Sequence, residues 1–440
     1  MIVRPPNDLS GLAGYIEPFL ELAGRDRWFR RADHFDREQG RSPYRWKIVA
    51  DYHWLEMAVA FQADVLAKEA RLLPELADEL ILASLNFAAT TVEVSRKLNA
   101  AGRKTLEGRI RDALKAETGF AALFQELDLA QRLMDRGYDV DFVDMEGSGR
   151  FDFLFSKGDF AGEVECKSIS ADAGRQVHRK DFYRFMEDIA PALSDHLQLS
   201  RQEVLLITLK GRLPPGGDTR SDLIGAVEAM AKEEAPAFIE GSFGRLERLD
   251  FKSALGGAPV HDSRAFYKAC GAVFGDNTHV SGALSETGGF FVVMRSVRED
   301  DTSKPMLESM RKAATQFTGT RPSFIAIQEH GITAADLMLP HLRRQVGILS
   351  YALFGHYGGD HVNATYVTGF GAVVKRGEGV GTPAFAVSNP SPRFAVEPEA
   401  AAPFFEYISD EDFAAAIGAP LPAPNISKLS IGLEDDAAEN

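Results

Sequence analysis

The chain has 440 residues, 45% of them hydrophobic, with 49 Lys+Arg against 64 Asp+Glu and a net charge of -15. This composition excludes a largely disordered chain, and at roughly 100–200 residues per domain the length allows several folded units. Two cysteines, Cys166 and Cys270, are too few for a disulfide framework or a Cys-based zinc site, so a reducing, cytoplasmic setting is expected. The opening MIVRPPNDLS lacks the basic-then-apolar pattern of a secretory signal. No apolar run approaches the roughly 18 residues of a membrane span; Ile81 to Val92, the nearest, is broken by Ser84, Asn86, Thr90 and Thr91, so no membrane contact is expected.

Residues 9–117 carry apolar residues at helical spacing, as in Leu55, Val59, Val65 and Leu66 and again from Leu73 to Leu85. A mostly helical N-terminal region, 1–117, is therefore expected. It holds 18 basic and 18 acidic residues, which places the whole negative excess in 118–440. Two stretches within it are basic. Arg25 to Lys47 has eight basic against four acidic residues, interleaved with Trp28, Phe29, Phe35, Tyr44 and Trp46; Arg96 to Lys115 has seven against two. Cations mixed with aromatics suit a phosphate backbone with stacked bases, and equally a solvated helix face whose aromatics turn inward.

After Gly119 the pattern predicts a helix from Phe120 to Arg136, then β-strands at Tyr138–Val143, Arg150–Phe155 and Phe160–Ser168. A helix follows from Val177 to Leu197, kinked at Pro191, and then a strand at Glu203–Lys210. This αβββαβ order defines an expected α/β domain over 118–330. Within it Ser221–Glu234 reads as a helix, and Gly289–Val297, Pro305–Phe317 and Phe324–Gln328 as a β-α-β unit. Residues 331–440 form an expected C-terminal α/β extension, proline-rich from Pro383 to Pro424 and acidic from Glu434 to Glu439.

The chemistry concentrates in the two strands Phe151-Asp152-Phe153-Leu154-Phe155 and Gly162-Glu163-Val164-Glu165-Cys166-Lys167-Ser168. If Gly158-Asp159 makes a two-residue turn, Lys157 pairs with Phe160, and counting back brings Asp152 opposite Glu165 with their Cβ atoms about 5 Å apart. Alternation then puts Glu163 and Lys167 on the face of Glu165, and Val164 and Cys166 on the other, which makes Cys166 a core residue and not a nucleophile. Two carboxylates this close repel one another, and a cation with oxygen ligands, Mg²⁺ or Mn²⁺, removes the conflict. The bland reading of the same hairpin is a surface cluster of salt bridges.

Glu126, Asp152 and Glu165-Cys166-Lys167, in helix–strand–strand–strand order, resemble the PD-(D/E)xK nuclease superfamily, the restriction-endonuclease-like fold. The likeness covers about 50 residues directly; Phe151 stands where the family motif has its proline. The resemblance implies a restriction-endonuclease-like αβββαβ core and a Mg²⁺- or Mn²⁺-dependent endonuclease, cleaving DNA in preference to RNA, in restriction, repair or anti-phage defence. It implies Asp152 and Glu165 as metal ligands, Lys167 as the catalytic lysine and Glu126 as the assisting helix carboxylate. Helix geometry permits that last role, since Glu126 falls about 70° from the centre of the stripe Leu123, Leu127, Ala130, Met134. Arg175, His178, Arg179, Lys180 and Arg184 surround the start of the following helix and are expected to meet nucleic-acid phosphates.

Among weaker candidates, His356 and His361 flank a Gly-rich loop with Asp360, and Gln316, Gln328 and Glu329 lie around the later strand and helix. No G-x-S-x-G elbow or P-loop occurs. Two other classes of function stay open: a catalytically inactive nuclease-like module that binds nucleic acid or a protein partner, and a pure interaction component of a defence complex. A homodimer is a further expectation, since cutting two strands suits two sites.

Overall fold

The computed structural model describes residues 1–396, apart from 7, 77, 195, 197–201, 233–235, 257, 259–262, 276, 286–287 and 377–378. The acidic stretch from Glu434 and most of the proline-rich segment lie outside the described residues. The fold is mixed α/β, with two mixed sheets and helices on both faces of each. Among the described residues no helix is long and apolar enough to cross a membrane.

The N-terminal region is helical, as α1 (Leu9–Ala13), α2 (Ile16–Ala23), α3 (Arg25–Arg41), α4 (Pro43–Glu69), α5 (Glu79–Lys97) and α6 (Ala100–Ala113). Asp78 caps α5 by accepting from Ile81 N at 2.8 Å, and Asn99 caps α6 by accepting from Gly102 N at 2.8 Å. α5 is buried on nearly every side, which its run of Ala, Thr and Val allows. Trp28 packs edge-on to Phe19 and against Phe120, and both Trp28 and Phe35 are buried. These two aromatics of the basic stretch therefore belong to the core and offer no face to a base.

The first sheet has the order β1 (Asp139–Asp141), β2 (Phe153–Lys157), β3 (Phe160–Ile169), β9 (Ser323–Glu329), β10 (Val362–Gly369) and β13 (Phe385–Ser388). β1, β2 and β3 form an antiparallel meander; β3, β9 and β10 run parallel; β13 is antiparallel to β10. Side chains alternate between two cores. Phe153, Phe155, Val164, Phe324 and Ala326 face α7 (Ala121–Asp135), while Ile325 and Ile327 face α12 (Ser303–Ala314) and α13 (Pro340–His356). Each buried phenylalanine contributes about 1.5–3 kcal/mol over an exposed one.

The second sheet has the order β5 (Phe238–Gly241), β6 (Gly244–Asp250), β4 (Glu203–Leu209), β8 (Gly288–Ser296) and β7 (His279–Ser285). On one face lie α8 (Arg179–Ile189) and α9 (Asp218–Met230), on the other α10 (Phe251–Leu255) and α11 (Ser263–Phe274). A small hairpin pairs β11 (Val374–Arg376) with β12 (Gly379–Gly381), apart from both sheets.

Two expectations are corrected here. The helix after β3 ends at Ile189, before Pro191, and it and Glu203–Leu209 belong to the second sheet, so they do not continue the meander. Likewise β8 and β9 lie in different sheets, so the segment 289–328 is not one β-α-β unit. The element that returns to β3 is α12, followed by β9. The whole second sheet is thus an excursion between β3 and α12, and its two connections run side by side: Asp301 N donates to Gly174 O at 2.8 Å and Gln176 N to Asp300 Oδ1 at 2.8 Å. Gly174 has φ +78, and a Cβ there would lie 2.1 Å from Asp301 O, so this crossing requires glycine.

Candidate metal centre

The β2–β3 hairpin has the expected register. Lys157 pairs with Phe160 and Phe153 with Val164, across a two-residue turn in which Gly158 takes φ 59. Past that last pair the two strands part. β2 begins at Phe153, while β3 continues to Ile169 along β9. In the gap Asp152 replaces the missing ladder partner: its Oδ2 accepts from Cys166 N at 2.6 Å. Because the sheet is open beyond β2, side chains from both of its faces reach the same place.

Four carboxylates gather there. Glu126, from α7, is 4% exposed, and Glu165, from β3, is 2% exposed. Asp144, on the turn after β1, and Asp152 complete the group; Glu126, Asp144 and Asp152 each offer an oxygen within 4.8 Å of the others. Two cations enter the cluster. Arg109 of α6 donates through Nη1 to Glu126 Oε2 at 2.7 Å and through Nη2 to Asp144 Oδ2. Lys167 Nζ donates to Glu165 Oε1 and, at 2.6 Å, to Gln316 Oε1, while Gln316 Nε2 donates to Arg150 O at 2.9 Å and so fixes the amide.

The cations do not fully answer the charge. Glu126 Oε1, Asp144 Oδ1 and Glu165 Oε2 are buried and have no hydrogen-bond partner among the described residues, a costly condition for a carboxylate oxygen. Burial, with the charge of Asp152 next, pushes Glu126 well above the ordinary carboxylate range, against the pull of Arg109. Burial and then the charge of Asp152 raise Glu165 to about 8, and burial raises Asp152 to about 6, opposed by the Cys166 N–H. Glu126, Asp144 and Asp152, whose oxygens lie within 4.8 Å of one another, could together hold a hard cation such as Mg²⁺ or Mn²⁺, with Glu165 beside them on Lys167. Burial also pushes the Cys166 thiol well up, which keeps it a thiol and no nucleophile.

Of the predicted site residues, the fold brings together Glu126, Asp152, Glu165 and Lys167. Glu163, expected on the same face, serves the next turn instead: it accepts from Thr318 N at 2.8 Å and pairs with Arg321 at 3.3 Å. Asp144 and Arg109 were not legible as site residues, Arg109 being one cation among seven in its stretch. The basic set around α8 lies on the second sheet, and each member faces a carboxylate. Arg179 pairs with Asp51 at 2.6 Å, Lys180 with Glu117 at 3.0 Å, Arg175 with Asp300 at 3.5 Å, and Arg184 with Asp181 at 3.8 Å. His178 lies 3.6 Å from Asp181 and 2.8 Å from Arg212. The first turn of α8 is itself capped, with Arg179 N donating to Asp172 Oδ1 at 2.6 Å. His361 Nε2 donates to Ala314 O at 3.0 Å, and His356 ends α13 exposed. Gln328 is buried beside β10, on the α7 side of the sheet.

No protein-family model matches the chain, and no curated protein or solved structure matches it either.

Proposed function

We propose that the protein is a Mg²⁺- or Mn²⁺-dependent nuclease that hydrolyses phosphodiester bonds in DNA, with its reaction centre at the fork between β2 and β3. The observation that carries the reading is the set of buried carboxylates with unpartnered oxygens beside a fixed lysine. The path of the chain supports it: α7, β1, β2 and β3, then α12 and β9 after the excursion, run in a helix–meander–helix–parallel-strand order compatible with the αβββαβ core that the resemblance implies, with α12 and β9 in place of the helix and strand expected at 177–197 and 203–210.

A divalent cation held by Glu126, Asp144 and Asp152, with Glu165 beside them, would supply Lewis-acid polarisation of the scissile phosphate. The chain's own residues do the rest. Lys167 has three N–H donors; two are committed to Glu165 and Gln316, and the third remains for charge that develops on the phosphate. Gln316 is a positioning residue, since its amide holds the ammonium in one place without neutralising it. Asp152 is held by Cys166 N, so its carboxylate does not have to reorganise.

The test is cleavage of supercoiled plasmid, linear duplex, single-stranded DNA and RNA in Mg²⁺, Mn²⁺ or EDTA, beside Asp152→Ala and Lys167→Ala. Cleavage that requires the metal and is lost in both variants is expected. Metal binding with no turnover on any substrate would instead make the chain an inactive nuclease-like binding module.

A further inference from the structure

We infer that Arg109 occupies the place of a second cation and limits the site to one divalent ion. The inference rests on the metal reading above and goes beyond it, because it assigns the stoichiometry to a residue of the N-terminal helical region.

Each of three carboxylates in the cluster has one oxygen committed and one free. Arg109 takes Glu126 Oε2 and Asp144 Oδ2, and Lys167 takes Glu165 Oε1; Glu126 Oε1, Asp144 Oδ1 and Glu165 Oε2 have no partner among the described residues. The committed oxygens orient the groups, and the free ones remain for a single ion. The three carboxylates Glu126, Asp144 and Asp152 against the fixed charge of Arg109, with Glu165 paired to Lys167, leave a formal charge of -2, the charge that one divalent cation neutralises. In two-metal sites the ions lie about 3.5–4 Å apart and share carboxylates. Here a second ion would have to share Glu126 and Asp144 with the guanidinium, a planar cation that does not lose its proton and bridges the two acids with both terminal nitrogens. The bridge is also anchored, since Asn99 N at the head of α6 donates to Glu146 Oε1 at 3.2 Å, two residues beyond Asp144.

The experiment is calorimetric titration of the metal-free full chain with Mn²⁺, for wild type, Arg109→Gln and Arg109→Lys, with circular dichroism to confirm folding. One ion is expected for wild type and Arg109→Lys, and a second, weaker ion for Arg109→Gln. Electron paramagnetic resonance of Mn²⁺-loaded wild type needs no variant: isolated Mn²⁺ is expected, and a spin-coupled pair overturns the inference. If folded Arg109→Gln still binds one ion, the inference fails while the metal reading stands. If wild type binds no Mn²⁺ at all, both fail together.

Discussion

At the fork of the first sheet Glu126, Asp144 and Asp152, with Glu165 beside them, meet two cations and leave three buried oxygens without partners among the described residues. Around the start of α8, beside the second sheet, Arg175, Arg179, Lys180 and Arg184 each stand against a carboxylate. Both places are rich in charge, yet only the first is left unbalanced. Paired charges at a half-exposed surface tie elements together at small net gain, as Arg179 and Lys180 tie α8 to Asp51 and Glu117 of the N-terminal region. Buried like charges that lack partners cost stability, and a fold retains them where a bound group compensates.

The sharpest way to break this contrast is to remove the unbalanced side. Lys167→Ala is expected to lower kcat by about 100-fold to 1,000-fold, the cost of losing a preorganised donor to developing charge, and steady-state cleavage rates check it. An unchanged kcat would take Lys167 out of the reaction. Gln316→Leu leaves the lysine in place and removes its second anchor. Its kcat is expected to fall by about 10-fold to 100-fold, the rate equivalent of a hydrogen bond to a charged group, with KM little changed.

Stability against pH sharpens the contrast in the metal-free protein. Glu165 titrates at about 8 in the fold against 4.5 for the free side chain. The folded state therefore holds the extra proton, and this contribution to stability is complete below about 4.5 and is lost as pH rises through about 8. In EDTA the melting temperature of wild type is expected to fall over that window relative to Glu165→Gln, by calorimetry. Equal pH slopes for the two proteins would mean that Glu165 is not strained by its neighbours.

The smallest effect is expected on the paired side. Lys180→Ala should cost about 0.2–1 kcal/mol, as exposed ion pairs do, and leave the salt dependence of DNA retention unchanged. A slope reduced by about one would show that Lys180 meets a phosphate after all.

The site was legible to the extent that its parts were local. A two-residue turn sets the register of its hairpin and alternation sets the faces, so the closeness of Asp152, Glu165 and Lys167 followed from spacing, while their roles came from the family resemblance. Helical periodicity likewise placed Glu126 at the edge of the buried stripe of α7. Asp144 and Arg109 could not be reached in this way. They meet at the fork because a turn after β1 and a helix before α7 pack there, and no periodicity links residues 35 apart in sequence.

The pairing of strands divides along the same line. The apolar run Val204–Leu209 declares a strand buried on both faces, and such a run fits the centre of either sheet equally well. Its entry into the second sheet was decided by its neighbours β6 and β8 and by the packing of α8 and α10 against its two faces. The sequence by itself determined the helical N-terminal region, the hairpin and the acids of its motif, because backbone propensity and side-chain alternation act within a few residues. Only the tertiary structure decided which strands share a sheet, which cations are already paired and which carboxylates remain without partners, because those depend on contacts between segments far apart in the chain.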